Sequence, residues 1–365
     1  MKNILIALIT LISIAGLRAQ YEFTNDYELP CTSVKSQDNT GTCWSFSTVS
    51  FLESEVLRLT GKSVDLSEMA VVNTIYKDKA NNYVLRQGKA QFGEGGLSHD
   101  VTHAVKLNGL VPESAFSGNK DANGRYNHAQ LVGELKGLLD SLISQRKLEL
   151  SWRRGVNEVI DEGVGMVPGK FEYEGQRYSA RSFADALKIN PDDYITFTSF
   201  AHHPFYTSFI LEIPDNYSNG TYYNVPMQDL YSITTNAVQN GFSVAWDADV
   251  SERGFNARLG IAVVPAEDAY KSAFKAPVAE QIINQKKRQA AFESYETTDD
   301  HLMHIVGMAH DQRDTPYFIV KNSWGEIGPY KGNIYVSKPY FDYKTIAVMV
   351  HKDAVPDAIK KRFGL

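Results

Sequence analysis

Apolar residues recur at helical spacing from Cys43 through Trp44, Phe46, Val49, Phe51, Leu52, Val56 and Leu59, and Gly61 ends the run. The spacing predicts a central helix with Cys43 in its first turn. Residues 20–42 are rich in turn formers and read as extended chain leading into it. In SVDLSEM, Ser67 or Asp65 can cap a second helix, with Met69, Val71, Val72, Ile75 and Tyr76 facing inward. The glycines of FGEGGLSHD interrupt the pattern, and a third helix runs through Val101, Ala104, Val105 and Leu107 to Gly109. A long, partly exposed helical pattern follows over about 127–164, and PGKFEYEGQRYSARSF reads as a hairpin or loop excursion. Together they suggest an insertion spanning approximately 112–190.

From Tyr194 the period changes. YITFTSF, FILEI, TYYNVPM, FSVAWDAD, GIAVV, HIVGMAH, YFIVKNSW and NIYVSK are short β-branched and aromatic runs separated by turns. The expectation is an α+β fold: a helical first half, a mainly antiparallel sheet in the second, and a cleft between them.

Lys2 precedes an apolar stretch from Ile4 to Gly16, and Ala19 supplies a small residue after it. This layout predicts a secretory signal over residues 1–19, a mature domain over 20–365, and a periplasmic or secreted protein without stable membrane insertion after processing. An oxidising compartment allows Cys31 and Cys43 to pair, but the better reading keeps Cys31 as a small buried hydrophobe and Cys43 as a free thiol. The formal charge of -6 gives no concentrated basic surface, which argues against a nucleic-acid partner.

A thiol at a helix N-terminus is favoured as thiolate by the helix dipole and unpaired amides, which marks Cys43 as a candidate nucleophile. His304 in HLMHIVG is the candidate proton acceptor, held on a strand by Leu302, Ile305 and Val306. His301, three positions earlier and on the opposite strand face, adjoins Asp299 and Asp300 and reads as a surface residue. Asn322 in FIVKNSWG can accept from one imidazole nitrogen and turn the other toward sulfur, with Trp324 covering the bond. Gln37 can aim amide hydrogens at the oxyanion of a tetrahedral intermediate, together with the Cys43 backbone amide.

QDNTGTCWSF, MHIVG and KNSWG resemble the three signature blocks of papain-like cysteine peptidases. Carried over by residue type and order, the resemblance puts the oxyanion glutamine, nucleophile, histidine and asparagine on Gln37, Cys43, His304 and Asn322. The glycine pair of GEGGLS resembles the loop that binds substrate backbone, which implies that role for Gly95 and Gly96. Within this superfamily DLSEM, IDEGVGMVPGKFEYEG, PMQDL and AWDADV are similar to the bleomycin hydrolase and bacterial aminopeptidase C branch. The resemblance implies a two-lobed fold, peptide substrates, no cofactor and no metal.

Members of that branch are generally longer and many are hexameric aminopeptidases. Here the insertion is shortened, and VMVHKDAVPDAIKKRFGL resembles only the segment before the C-terminal arm that restricts cleavage to N-termini. The expectation is a cysteine peptidase, an aminopeptidase by resemblance. A papain-like endopeptidase and an inactive peptide-binding homologue remain the alternatives, and a hexamer is less expected than in the longer members.

Other clusters carry less. His99 and His103 lie four apart on a helix but lack a third metal ligand of clear spacing, and His202 and His203 read as a cleft wall or packed turn. Asn216 and Asn219 are formal glycosylation acceptors.

Overall fold

The computed structural model describes residues 21–365, so the export signal expected at residues 1–19 lies outside the described residues. The first half opens on strand β1 (Phe23–Glu28), followed by helices α1 (Cys43–Thr60), α2 (Glu68–Leu85) and α3 (Ser98–Asn108). The pattern-based boundaries hold: Gly61 caps α1 in the left-handed conformation, and the Ser67 side chain accepts from Ala70 N at the start of α2. The single long pattern over about 127–164 resolves into two helices, α4 (Ala129–Ile143) and α5 (Trp152–Val164). The stretch RKLELS between them is not helical: Leu148 packs against the core while Leu150 is exposed, so no continuous inward stripe joins the two helices. A hairpin of β2 (Phe171–Tyr173) and β3 (Gln176–Tyr178) leads to α6 (Ala180–Ala186). The two long helices bury Leu131, Leu135, Leu139, Val156, Ile160 and Val164 in the same core as α1 and α2, so this region is part of the helical lobe.

The second half contributes β4 (Tyr194–Thr198), β5 (Ser208–Ile210), β6 (Thr221–Asn224), α7 (Met227–Gln239), β7 (Val244–Ala248), β8 (Phe255–Asn256) and β9 (Ile261–Ala262). Then come α8 (Gln285–Glu293), β10 (His301–Asp311), β11 (Pro316–Lys321), β12 (Asn333–Ser337), α9 (Lys338–Lys344), β13 (Thr345–His351) and α10 (Asp357–Phe363). Among the described residues, eleven strands form one sheet ordered β5-β6-β4-β13-β7-β10-β11-β12-β9-β8, with β1 also paired to β10. It is antiparallel except for β4 with β6 and β12 with β9.

Strand β10 is the hub of this sheet, and it contains a bulge. Its turn-side pairs with β11 run from His310↔Pro316 to Gly307↔Ile319, but beyond Val306 they become Ile305↔Val320 and His304↔Lys321. One extra residue on β10 therefore shifts every pair beyond it by one position. At the bulge the backbone of β1 comes so close that a Cβ on Gly307 would lie 2.4 Å from Tyr27 O.

Helix α1 lies across β10 and is buried on almost every side from Cys43 to Val56. A chain of polar contacts runs along their junction. Ser50 Oγ and His304 Nδ1 share a hydrogen bond of 2.9 Å, and Lys321 Nζ donates to Ser50 Oγ (2.8 Å) and Thr32 Oγ1 (2.9 Å). Thr32 donates to Glu53, which also accepts from Leu66 N at 2.8 Å and Lys35 Nζ at 3.1 Å; Lys35 then reaches Glu68 at 2.6 Å. Each carboxylate is buried, so removing their shared cation is costly. Lys35→Met is expected to lower stability by about 3–5 kcal/mol, read as a fall in the urea midpoint with an unchanged slope.

Candidate functional site

The thiol of Cys43 stands at the first turn of α1, 8% exposed, and accepts a hydrogen bond from the backbone N–H of Leu302. Leu302 follows His301 at the start of β10, so the helix N-terminus meets the strand at its first residues. Burial pushes the thiol up to about 12; the Leu302 amide opposes this, and Asp299, Asp247 and Asp215 add to it. The helix dipole alone, worth about 1 kcal/mol or less at an exposed terminus, does not offset that desolvation. The low thiol pKa expected from position on the helix is therefore overturned by burial and neighbouring carboxylates.

The asparagine's histidine partner is not the one expected. His301 Nε2 lies 2.7 Å from Asn322 Oδ1, and its ring sits 4.6 Å from the Trp324 indole. Ser323 N also donates to Asn322 Oδ1 at 2.8 Å, which fixes that atom as the acceptor. His301 Nε2 therefore carries the proton in this bond, and Nδ1 is left as the acceptor nitrogen. His301 is buried, not a surface residue, and burial holds its imidazole down at about 4, with the Asn322 bond and Asp300 pulling upward.

His304 is 0% exposed, bonded to Ser50 and edge-on to Phe51. Ser50 is seven residues beyond Cys43 on α1, about 10 Å along the axis at ~1.5 Å per residue. His304 is thus bonded to Ser50, about two turns from Cys43, while Asn322 Oδ1 is taken by His301, and the pairing expected from the sequence is corrected. The bulge at Val306 is the reason. Continued from the turn, the β10–β11 register would set His304 opposite Asn322; shifted by one, it sets His304 opposite Lys321. By the same shift Asn322 and Trp324 fall on the hairpin face of His301.

Gln37 is buried and locked on both ends. Its Nε2 donates to Thr40 O at 2.7 Å, its Oε1 accepts from Ser323 Oγ at 2.7 Å, and its backbone N donates to Ser323 O at 2.9 Å. One amide hydrogen is left beyond the Thr40 bond. Gln37 and Asn322 are thereby tied to one another through Ser323.

The glycine turn closes the other wall. Gly96 packs on the Trp44 indole, where a Cβ would lie 2.9 Å from Cε2. The Gly95 carbonyl accepts from Lys79 Nζ, and a Cβ at Gly95 would fall 1.9 Å from Asp215 Oδ2. Asp215 arrives on a loop, 211–220, between β5 and β6. That loop is clamped shut by Asn216, whose Nδ2 donates to Leu211 O and Gly220 O. The formal glycosylation acceptor at Asn216 is therefore a buried structural amide. The loop crosses to the helical lobe: Tyr217 Oη donates to Asp78, Asn82 Nδ2 to Tyr217 O, Gln91 Nε2 to Asp215 Oδ1 and Ser218 Oγ to Asp100.

Two further acids stand beside the thiol. Asp247 on β7 is paired across the sheet with Leu302, and its carboxyl contacts that of Asp299. Burial, with Asp299 adding to it, pushes Asp247 well above the usual carboxylate range; burial and the charge of Asp215 push Asp299 to about 7, while the contact with Asp247 pulls it down. From the sequence, Asp299 stands out only as a neighbour of His301, Asp247 only as part of AWDADV and of the Asp247–Asp249 region that could anchor a substrate α-amine, and Asp215 not at all. Cys31, expected to be buried, is exposed and unpaired with Cys43.

Residues 169–364 match the Peptidase C1-like family, and residues 19–140 match the papain family of cysteine proteases. Aminopeptidase G of Lactobacillus delbrueckii subsp. lactis is 24% identical over 367 residues, spanning 89% of this chain and 82% of that protein. A viral cathepsin of Autographa californica nuclear polyhedrosis virus is 30% identical over 107 residues, 29% of each chain. Among solved structures, PepW from Lactobacillus rhamnosis HN001 superposes with a TM-score of 0.75 at 18% identity, covering 93% of this chain and 84% of that one. The α+β, papain-like fold follows from this likeness.

The raised acids give a stability prediction whose sign can be worked out. The unfolded chain loses the Asp299 proton near 4, whereas the folded chain keeps it to about 7. Folded protein thus binds more protons between those values, and stability falls as pH rises through that window. Asp299→Asn removes the effect and adds a donor beside Asp247. Its melting temperature at pH 8 is expected to exceed that of the parent by roughly 2–4 °C, with the gain shrinking toward pH 4. Scanning calorimetry at the two pH values checks it.

Proposed function

Because the chain belongs to the papain family of cysteine peptidases, we propose that it hydrolyses peptide bonds with Cys43, His301, Asn322 and Gln37 as its catalytic set. The observation that carries the assignment is the His301–Asn322 bond beside the Cys43 thiol. Asn322 Oδ1 holds Nε2–H, so Nδ1 of His301 takes the thiol proton as sulfur attacks the substrate carbonyl. The resulting oxyanion receives the spare Nε2 hydrogen of Gln37 and the Cys43 backbone N–H, which as a first-turn amide has no intrahelical partner. His301 then gives its proton to the departing amine, leaving a thioester on Cys43. The imidazole next takes a proton from water, whose oxygen attacks the thioester and frees the acid and the thiol.

The same reading favours an aminopeptidase. An endopeptidase needs a cleft open at both ends, so that chain can extend on both sides of the scissile bond. Loop 211–220 ties the sheet half to α2 and α3 at the glycine turn and sets Asp215 against Gly95, where substrate backbone before the scissile bond would run. That placement supports a closed end, and the similarity to Aminopeptidase G agrees with it. The loop belongs to the chain's own sheet edge, so the block does not depend on a C-terminal arm.

Two sets of measurements test these points. C43A and H301A are expected to abolish turnover, Q37A to lower kcat by about 10²–10³-fold, and N322A to fall between. H304Q, once shown to be folded, is expected to stay within a few-fold of the parent; loss of turnover in H304Q with survival of H301A would reverse the histidine assignment. For end preference, free and N-acetylated forms of the same fluorogenic peptides are compared. Cleavage of only the free amines is expected, and equal cleavage of the blocked peptides refutes the aminopeptidase reading.

A further inference from the structure

We propose that Asp215, Asp247 and Asp299 form a subsite beside Cys43 that binds the α-ammonium group of the substrate's first residue. The proposal rests on the aminopeptidase reading above and names the chemistry that recognises the free end.

Placement comes first. Asp247 is the cross-strand partner of Leu302, whose amide reaches the Cys43 sulfur, and Asp299 lies two residues before His301. Asp215 reaches in from the opposite wall, against Gly95. Three carboxyls from three separate segments thus border the nucleophile. Each also acts on the thiol, raising it.

The second observation is that part of this trio lacks donors. Asp247 is 3% exposed, and among the described residues neither of its oxygens, nor Asp299 Oδ2, accepts from an amide, hydroxyl or cationic donor; the two carboxyls meet only each other. Neighbouring acids are treated differently. Asp249 accepts from Ser251 N and Thr298 N and lies 3.6 Å from Lys344, while Asp300 accepts from Ser251 N and Thr298 Oγ1. Asp249 and Asp300 are structural. Asp247 and Asp299 keep buried acceptors open next to a reacting atom, an expensive arrangement that a cationic donor would relieve.

The spacing of the trio argues against a shared metal ion. Among the described residues, the group close enough to share one metal ion is His202, His203 and Glu212, not this trio. The α-nitrogen of an N-terminal residue lies about 2.5 Å from the carbonyl carbon under attack, two bonds away. An acid that binds it must therefore stand beside the nucleophile, as these do. A lysine or arginine side chain would carry its charge several bonds farther out. Bound ammonium also offsets the charges that raise the thiol, so the correct substrate favours its own nucleophile.

The test uses the full chain, leucyl-coumarylamide, and the analogue in which a hydroxyl replaces the α-amine. The ratio of kcat/KM for amine over hydroxyl is measured in the parent, D247N and D299N. The ratio is internal to each enzyme, so partial misfolding does not move it, and iodoacetamide labelling of Cys43 reports how much site is intact. The parent is expected to prefer the amine by about 100-fold or more, and each variant to lose at least about 10-fold of that preference. An unchanged ratio in both variants, with the parent still inactive on acetylated peptides, overturns the subsite and leaves the aminopeptidase reading standing. Equal cleavage of acetylated peptides by the parent overturns both. A preference for blocked peptides with lysine before the scissile bond, lost in D247N, assigns the trio to a side chain and rejects the proposal.

Discussion

Everything at the site depends on how α1 is held against β10. The helix brings Cys43, the strand brings His301, and a shift of either along the other would separate them. The helix N-terminus cannot fix this alignment by apolar packing alone, since ridges of similar side chains allow neighbouring registers. The polar chain from His304 through Ser50, Lys321 and Thr32 to Glu53 and Lys35 does so, because its groups are buried or half-buried and each has its partner in one alignment. Sliding the helix by one turn would leave several of these groups unpaired, at roughly 1–3 kcal/mol for each neutral one and more for Glu53. His304 is therefore a registration residue, about two turns of α1 away from Cys43.

That role explains what could and could not be read from the sequence. The helices α1 to α3, the cap at Ser67, the stop at Gly61 and the strand-rich second half are carried by local spacing, and local spacing is visible in a chain. The choice between His301 and His304 is carried by a bulge at Val306, and no residue there announces it. Both histidines alternate plausibly, both precede apolar neighbours, and the acids before His301 look solvated. Only the register on either side of Gly307 decides which one shares a face with Asn322. The grouping of the acidic trio was hidden for a related reason: Asp247 could be picked out in AWDADV, but Asp215 and Asp299 come from a loop and a strand approach far from it in the chain, and only topology assembles them. The long pattern over 127–164 misled in the opposite way, since two helices joined by a short non-helical stretch share one periodicity.

The site also shows a tension between folding and chemistry. Asp247 and Asp299 are held where their charges are disfavoured, and the thiol and the imidazole are pushed apart in proton affinity by the same burial. None of this helps the empty protein fold. It makes sense for a site completed by a ligand that brings a positive charge and a polar backbone, since both would satisfy groups that the protein alone leaves open.

Strand β1 has a bearing on the protein's own survival. From Phe23 it is stitched along β10, Tyr21 is buried with its hydroxyl on Ala273 O, and the Phe23 ring stacks 3.8 Å from that of Tyr335. An enzyme that shortens chains from the front is a hazard to its siblings, because every copy displays the same front. On the aminopeptidase reading proposed above, residues from Tyr21 onward can be threaded into a neighbouring copy's cleft only after the strand is peeled from the sheet. For an enzyme with the proposed specificity, the paired strand that begins the described fold would also resist removal from the front by identical molecules.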